Sequence, residues 1–181
     1  YDALTGLGNR LLMRDRLSQA MLSGQKTNRR VAVLFIDLDR FKQVNDRFGH
    51  QIGDNLLIAA ADRMKLVLRT EDSIFRQGGD EFVAILPNIT NPRGIAFAAK
   101  RLVRELSQPY TISDKTIEIG ASVGISIYPD DGVAIDSLLE AADAAMYQAK
   151  AAGRGRFFPA ALSQATMSDA DRPAKTRALA G

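Results

Sequence analysis

The sequence Arg76-Gln77-Gly78-Gly79-Asp80-Glu81-Phe82 places two glycines and two acids between two apolar runs. Residues 74–75 lead into it and residues 82–86 lead out of it, and both runs consist largely of β-prone side chains. Because tight hairpin turns need positive φ angles, a Gly78-Gly79 link predicts a β-hairpin that carries carboxylates at its tip. Glycine also lets another molecule approach the backbone, so this tip is either a phosphate site or an ordinary solvated turn.

Composition limits the class of protein. The chain has 181 residues, of which 46% are hydrophobic and 25% charged, and this suits one compact α/β domain. Cysteine is absent and His50 is the single histidine, which excludes disulfides and multi-histidine metal centres and favours a reducing cytoplasm. The net charge of +3 is too small to indicate a nucleic-acid partner, and no apolar run has the length of a membrane span.

The hydrophobic pattern predicts helices and strands in alternation. The predicted helices lie between Asn9-Arg10 and Gly24, over residues 40–47 and 53–68, between Pro92 and Gln108, and over residues 135–151. The predicted strands are residues 31–37, a hairpin over 73–86, and a second hairpin made of 110–112 and 116–128. Asp39 is expected to cap the second helix. This order suits a central mixed sheet of about five strands with helices on its faces.

The last residues differ in composition from the rest of the chain. Residues 159–181 are rich in Ala, Ser, Asp and Arg and contain few large apolar side chains. We therefore expect a domain over residues 1–158, followed by a linker or the frayed start of a further domain. The chain starts at Tyr1 rather than at Met, which predicts a fragment of a longer protein.

Two carboxylates are predicted to meet at one edge of the sheet. Asp37 ends an apolar strand and Asp80 follows the glycines, so the two acids lie close together if their strands are neighbours. Paired carboxylates without histidine suit Mg²⁺ or Mn²⁺, and such an ion suggests a phosphate substrate and in-line phosphoryl transfer. Asp37 taken alone is equally consistent with a simple strand end.

Several cations could neutralise such phosphates. Lys150 and Arg154 are spaced i,i+4 at the end of the last helix, where they either hold terminal phosphates or only interact with the helix C-terminus. Lys42 follows the Asp37 strand and is either a further phosphate contact or a solvated lysine. Arg69, after the long helix, is either a helix-end cation or an exposed fork for a phosphate or a guanine edge.

An amide and a carboxylate flank the glycine-bearing segment 48–50. Asn45 and Asp54 offer the acceptors and the donor that a guanine base would need, because a carboxylate can accept from N1–H and from the N2 amino group. Adenine lacks these donors, so a buried Asp54 would discriminate against it. The alternative is that Asp54 only caps the long helix.

Together these features resemble the GGDEF family of diguanylate cyclases, from Tyr1 to about Phe158. The resemblance lies in Asp2-Ala-Leu-Thr-Gly-Leu-Gly-Asn-Arg10, Asp37-Leu-Asp-Arg-Phe-Lys-Gln-Val-Asn-Asp46, Phe48-Gly-His-Gln-Ile-Gly-Asp54, Gly78-Gly-Asp-Glu-Phe82 and Tyr147-Gln-Ala-Lys-Ala-Ala-Gly-Arg154. It implies a palm-like α/β (α+β) sandwich with a central, mostly antiparallel five-stranded sheet. It also implies condensation of two GTP to cyclic di-GMP in bacterial signalling. Gln77, Gly8 and Gly155 depart from common family residues, and none of them is an implied ligand.

The resemblance also implies roles for individual residues. Implied ligands of Mg²⁺ or Mn²⁺ are Asp37, Asp80 and the carbonyl of Leu38, and implied catalytic residues are Asp80, Glu81 and Lys42. Implied substrate contacts are Asn45, His50, Asp54, Gly78, Gly79, Lys150 and Arg154. Arg69 and Asp72 match the family's inhibitory RxxD site, which binds the product.

Geometry adds an expectation about assembly. One hairpin tip holds one GTP, whereas a cyclic dinucleotide needs two facing 3′-hydroxyls and two α-phosphates, so we expect a two-fold homodimer. Control is expected from flanking regions, a sensor before Tyr1 and an EAL-type phosphodiesterase after the tail. The alternative function is a weak or inactive module that binds GTP or cyclic di-GMP and regulates an attached domain. A cyclase that makes a different dinucleotide is disfavoured by Asn45 and Asp54.

Overall fold

The computed structural model describes residues 1–161, 163, 164 and 167. Its elements alternate along the chain and are named here in chain order. They are α1 (Arg10–Thr27), β1 (Arg30–Asp39), α2 (Phe41–Phe48), α3 (His50–Val67), β2 (Ser73–Gly78), β3 (Glu81–Ile89), α4 (Arg93–Leu106), β4 (Tyr110–Ile112), β5 (Lys115–Ile117), β6 (Gly120–Tyr128), α5 (Ile135–Ala151) and β7 (Phe157–Pro159).

The central sheet has five strands in the order β2-β3-β1-β6-β7. β1 lies in the middle and pairs antiparallel with both β3 and β6, β2 pairs antiparallel with β3, and only β7 runs parallel to its neighbour. Helices cover both faces of the sheet. The predicted α/β sandwich with a mostly antiparallel five-stranded sheet is therefore confirmed.

The second predicted hairpin is wrong in its long strand. Residues 116–128 divide into β5, which pairs with β4 in a separate two-stranded sheet, and β6, which enters the central sheet. Glu118 and Ile119 lie between them outside any strand. The strand β7 was absent from the prediction because three residues that end in a proline carry no strand periodicity.

The first helix starts as predicted but ends later. Asn9 is its N-cap, and its side-chain oxygen accepts a hydrogen bond from the Leu12 N–H at 3.0 Å. Gly24 does not stop the helix: it is buried within α1, where a Cβ atom would lie 2.7 Å from the Arg29 carbonyl oxygen. Gly24 thus permits a close backbone approach, and Asn28, at a φ of +52°, ends the helix.

The junction between α2 and α3 consists of one residue. Gly49, at a φ of +87°, follows Phe48 and precedes His50, so α3 begins three residues before the predicted start at Gly53. Such a φ favours glycine, which explains how two helices meet without a longer loop. The junction brings the end of α2 and the first turns of α3 together.

The buried side chains form one cluster on each face of β1. Leu34 and Ile36 pack into the cluster that includes α3 and α4, whereas Val31 and Val33 pack with residues of α1 and α5. This two-sided burial accounts for the continuous apolar run of the strand. Among the described residues, no helix has both the length and the hydropathy needed to cross a bilayer. Most of the predicted linker, residues 159–181, lies outside the described residues, and its boundary at 158 stays a prediction.

Candidate active site

The hairpin tip between β2 and β3 differs by one residue from the prediction. Gly78 pairs with Glu81 in the strand register, so the two-residue turn is Gly79-Asp80 rather than Gly78-Gly79. Both glycines have positive φ angles, +149° and +53°, and a Cβ atom built on either would have nothing within 4 Å. Asp80 therefore lies in the turn itself, next to backbone that a ligand can approach.

The two predicted metal carboxylates lie at the same edge of the sheet. β1 and β3 are neighbours, with Asp37 opposite Glu81 in the register, and the Leu38 N–H donates to the Asp80 carbonyl at 3.3 Å. Asp80 is near enough for its charge to raise the pKa of Asp37. The condition on which the sequence prediction depended, that the two strands are neighbours, is met.

Asp37 is a buried acid with a cationic partner. Its exposed fraction is 6%, and its Oδ2 lies 2.7 Å from the ammonium nitrogen of Lys150 on α5. The pKa of Asp37 is raised to about 6, mainly by burial, while Lys150 opposes the shift and Asp80 adds to it. Burial also raises the pKa of Glu81, and the charges of Asp143 and Asp80 raise it further.

The donor set fits a hard cation that keeps other ligands. Among the described residues, no three His, Cys, Asp or Glu side chains cluster closely enough to hold an ion. Mg²⁺ is commonly held by one or two carboxylates together with waters and substrate phosphates, and Asp37, Asp80 and the Leu38 carbonyl would suffice for that. The contact with Lys150 indicates that the Asp37 position already accepts a positive charge.

Lys150 and Arg154 do not share a helical face as their spacing suggested. α5 ends at Ala151, so only Lys150 is helical, and Arg154 lies in the following turn at a φ of +63°. The Arg154 N–H donates to the Ala149 carbonyl at 3.0 Å, and its side chain is exposed. The expected interaction of Lys150 with the helix end is replaced by its contact with Asp37.

Asp39 does not cap α2. It is the last residue of β1 and is 4% exposed, and its carboxylate accepts hydrogen bonds from Ser122 Oγ at 2.7 Å and from the Gly155 N–H at 3.0 Å. The N-cap of α2 is Arg40, which makes no side-chain capping bond. The strand extends two residues beyond its predicted end, and this extension turns Asp39 inward.

The predicted guanine contacts, Asn45 and Asp54, lie on either side of the α2–α3 junction, near the predicted catalytic residue Lys42 and substrate contact His50. Lys42 is exposed on α2, and His50 and Asp54 are exposed on the first turns of α3. Asn45 Oδ1 is buried against Gly53 of α3 and has no hydrogen-bond partner among the described residues. Because α3 begins at His50, the alternative that Asp54 caps this helix is wrong.

The predicted inhibitory residues form a turn after α3. The Arg69 N–H donates to Asp72 Oδ2 at 2.9 Å, and the Asp72 N–H donates to the Arg69 carbonyl at 3.1 Å. The side chain of Arg69 is 70% exposed, and burial raises the pKa of Asp72. Both residues line a cavity of about 310 Å³ that also contacts Phe97 and Arg101 of α4.

The N-terminal segment is tied to the hairpin tip. Arg76 Nη1 donates to both carboxylate oxygens of Asp2 at 3.1 Å, while Arg76 Nε and Nη2 donate to the Gly79 carbonyl at 3.0 and 2.8 Å. Asp2 also accepts from the N–H and hydroxyl of Thr5 at 2.8 and 2.6 Å. One guanidinium group thus joins the start of the chain to the turn that contains Asp80.

The arrangement agrees with a family match. The family model described as "Diguanylate cyclase, GGDEF domain" matches residues 1–156. The chain belongs to the GGDEF domain family. Its membership rests on most of the chain, including the hairpin and the α2–α3 junction.

Similar proteins extend the comparison of this GGDEF domain. It is 48% identical over 157 residues to the bifunctional diguanylate cyclase/cyclic di-GMP phosphodiesterase MucR of Pseudomonas aeruginosa. The aligned region covers 87% of this chain but only 23% of MucR. The solved GGDEF domain of TpbB (YfiN) from the same species superposes with a TM-score of 0.87 at 36% identity, over 93% of this chain and 99% of that one. The GGDEF domain of DgcB from Caulobacter crescentus, solved with c-di-GMP, superposes with a TM-score of 0.79 at 29% sequence identity. The match covers 87% of this chain and 91% of the DgcB chain.

Sequence reasoning missed two side chains that organise this GGDEF domain. Arg76 lies two residues before Gly78, and an arginine flanking a turn predicts no partner 74 residues away. Asp39 follows an apolar run with a spacing of two from Asp37, and this spacing in an extended strand would have placed both acids on one face. The spacing could therefore have predicted that Asp39 faces the same side as Asp37, but Asp39 was assigned to the cap of α2 instead.

Proposed function

We propose that this GGDEF domain is a diguanylate cyclase that uses Mg²⁺ or Mn²⁺ to condense two GTP into cyclic di-GMP, with release of pyrophosphate. The observation that carries the proposal is the meeting of Asp37 and the Asp80 turn at one sheet edge, against the ammonium group of Lys150. Hard carboxylate ligands beside a cation suit a polyphosphate substrate.

Asp37, Asp80 and the Leu38 carbonyl would hold the metal. When bound, the ion would neutralise phosphate charge and favour ionisation of the 3′-hydroxyl. Asp80 would accept the hydroxyl proton, with Glu81 beside it, as the 3′-oxygen bonds to the α-phosphorus of the other GTP and pyrophosphate leaves. Lys42 would stabilise the negative charge that develops on the phosphate in the transition state.

Substrate binding would use the α2–α3 junction at one end and the cations at the other. Asp54 would accept hydrogen bonds from the guanine N1–H and N2 amino group, and the side-chain amide of Asn45 would complete the pattern. His50 would contact the substrate between them. Asp54 is exposed rather than buried, so its preference for guanine would come from the N1–H and N2 donors that adenine lacks.

The phosphates would lie along the backbone of Gly78 and Gly79. Arg154 would clamp the terminal phosphates as an exposed cation. Lys150 would exchange its contact with Asp37 for a phosphate oxygen, because a metal bound by Asp37 would repel the ammonium group. Substrate and metal would therefore enter together.

The active species would be a two-fold homodimer. Each subunit would bind one GTP, and the two substrates would face each other across the axis so that each 3′-hydroxyl reaches the other α-phosphate. We further propose a cytoplasmic location, with sensor or EAL-type domains adjoining this domain in the full-length protein. The partial coverage of MucR is compatible with such neighbours.

Product inhibition would act at Arg69 and Asp72. The exposed guanidinium of Arg69 and the cavity of about 310 Å³ beside it suit a cyclic dinucleotide with two phosphates and two guanine edges. The similar DgcB domain was solved with c-di-GMP, which supports this ligand.

A second candidate function is regulation of an attached domain without turnover. The observation that favours it is the similarity to MucR, which is described as a bifunctional diguanylate cyclase and cyclic di-GMP phosphodiesterase. In that case this domain would bind GTP or cyclic di-GMP and change the activity of its neighbour.

One experiment separates the two functions. The domain, fused to a dimeric coiled coil so that the dimer is assured, is incubated with GTP and Mg²⁺, and the products are separated by chromatography. Cyclic di-GMP and pyrophosphate are expected. GTP binding without product would favour the regulatory function, and binding of neither GTP nor cyclic di-GMP would contradict both.

A further inference from the structure

The turn that carries Arg154 has an unusual backbone. Gly153, Arg154 and Gly155 have consecutive positive φ angles of +112°, +63° and +59°. The glycines adopt such angles freely, but an arginine enters the left-handed region at a steric cost. A non-glycine residue stays in this region only where its surroundings hold it there, and such residues concentrate at ligand sites.

Five hydrogen bonds hold this turn in place. The Gly153 and Arg154 N–H groups donate to carbonyls of α5, the Val123 N–H donates to the Arg156 carbonyl at 2.9 Å, and Arg156 Nε donates to the Arg154 carbonyl at 3.0 Å. The fifth bond, from the Gly155 N–H to Asp39 Oδ2, comes from a side chain of another element. Asp39 thus supplies the side-chain tie that reaches this turn from the central strand.

The environment of Asp39 suits this role. The carboxylate is buried, and its second oxygen accepts from Ser122 Oγ, a fully buried hydroxyl on β6. Gly120 leaves room for it, since a Cβ atom there would lie 2.8 Å from Asp39 Oδ2. A charged acceptor with both oxygens engaged cannot rotate freely, so the Gly155 N–H is held at a fixed place.

We propose that Asp39 is a positioning residue for GTP, which holds the turn so that Arg154 reaches the terminal phosphates. Asp37 and Asp39 are two residues apart on β1 and so share one face of the strand. One strand would therefore set the distance between the metal carboxylate and the phosphate clamp. This inference rests on the proposed function of Arg154.

The test compares two ligands in Mg²⁺ buffer, the α,β-methylene analogue of GTP, which cannot release pyrophosphate, and GMP, which lacks the terminal phosphates. We expect Asp39→Ala to weaken binding of the analogue about 10-fold and to leave GMP binding unchanged. Arg154→Ala should do the same. The double variant should bind no more weakly than Arg154→Ala, because both changes remove one contact.

Two further variants guard against a folding defect. Asp39→Asn should bind the analogue within about 3-fold of wild type, since its amide oxygen can accept from Gly155 while its NH₂ donates to Ser122 Oγ. Gly120→Ala should weaken binding of the analogue as much as Asp39→Ala does, because the added methyl group would displace the Asp39 carboxylate without removing it. Thermal unfolding of each variant is measured alongside.

The outcomes separate this inference from the function on which it rests. Wild-type binding by Asp39→Ala, with weakened binding by Arg154→Ala, overturns the positioning role alone. Equal loss of analogue and GMP binding by Asp39→Ala also overturns it, because the effect would then be general. If the wild type does not bind the analogue, or if Arg154→Ala binds it normally, the phosphate clamp fails and this inference fails with it.

Discussion

The ammonium nitrogen of Lys150 lies 2.7 Å from Asp37 Oδ2, at the sheet edge where the metal is proposed to bind. The contact joins the last turn of α5 to the central strand. It compensates in part for the burial of a carboxylate whose pKa is nevertheless raised to about 6. A proton and the proposed metal would thus compete with Lys150 for this carboxylate.

The first prediction concerns pH and the metal-free protein. The folded-state pKa of Asp37, about 6, exceeds its ordinary value of 3.8, so the folded state binds this proton more tightly. The free energy of unfolding should therefore fall as pH rises from 5 to 7.5, by about 1 kcal/mol from this group. Urea unfolding in EDTA measures it. Asp37→Asn should remove this share of the pH dependence, and identical profiles for both proteins would contradict the assignment.

The second prediction concerns Asp80. Asp80→Ala removes a proposed metal ligand and proton acceptor, so turnover of GTP should fall by about 100-fold or more. Because Asp80 lies in a turn and its side chain is not part of the core, the urea midpoint should change little. Asp80→Glu keeps a carboxylate and should retain activity within about 10-fold. Equal loss in both variants would mean that the shape of the turn, rather than the carboxylate, is what matters.

Local sequence patterns predicted the parts of the fold that depend on neighbouring residues. The apolar run that starts at Val31 predicted the central strand because both of its faces are buried, and Asn9 predicted a cap because it bonds to Leu12, three residues away. The split between β5 and β6 was not predictable in this way. It depends on which strand each segment pairs with, and the pairing is decided by distant residues.

The same distinction holds for the site. The residue types of Asp37 and Asp80 indicated a metal site, and the resemblance to the family implied the roles of the other site residues. The contacts of Asp39 with Gly155 and of Arg76 with Asp2 join residues 116 and 74 positions apart. Neither pair has a local signature, so both required the structure.

The third prediction concerns Arg76. Its side chain is 12% exposed and joins Asp2 to the Gly79 carbonyl, so Arg76→Ala should lower the free energy of unfolding by about 2 kcal/mol. Turnover should fall as well, because the Asp80 turn loses its anchor. Urea unfolding and a pyrophosphate assay measure the two effects. Arg14→Ala is the control. Its ion pair with Asp136 is far more exposed, with exposed side-chain fractions of 34% for Arg14 and 70% for Asp136, so the free energy of unfolding should change little.

The fourth prediction concerns the proposed inhibitory site. Arg69→Ala should weaken cyclic di-GMP binding about 10-fold or more, because the exposed guanidinium is its proposed phosphate or guanine contact. Stability should not change. Isothermal titration with cyclic di-GMP measures the affinity, and Arg104→Ala, another exposed arginine at 65%, should bind as the wild type does. An unchanged dissociation constant for Arg69→Ala would place the inhibitory site elsewhere.

The fifth prediction concerns the packing of α5, which carries Lys150, against β6. A Cβ atom at Gly124 would lie 1.9 Å from the Ala142 carbonyl oxygen and 2.2 Å from the Met146 nitrogen, and both are backbone atoms that cannot turn aside. Gly124→Ala should therefore lower the free energy of unfolding by about 3 kcal/mol or more, as the helix is pushed from the strand. Urea unfolding provides the measurement.

The control for this change is a glycine with space around it. A Cβ atom at Gly94, on α4, would meet nothing within 4 Å, and its φ is not positive. Gly94→Ala should thus stabilise the protein by about 0.5 kcal/mol through the helix propensity of alanine. If Gly124→Ala unfolds at the wild-type urea concentration, α5 does not pack this closely on β6. Lys150 would then lack the fixed support that its contact with Asp37 requires.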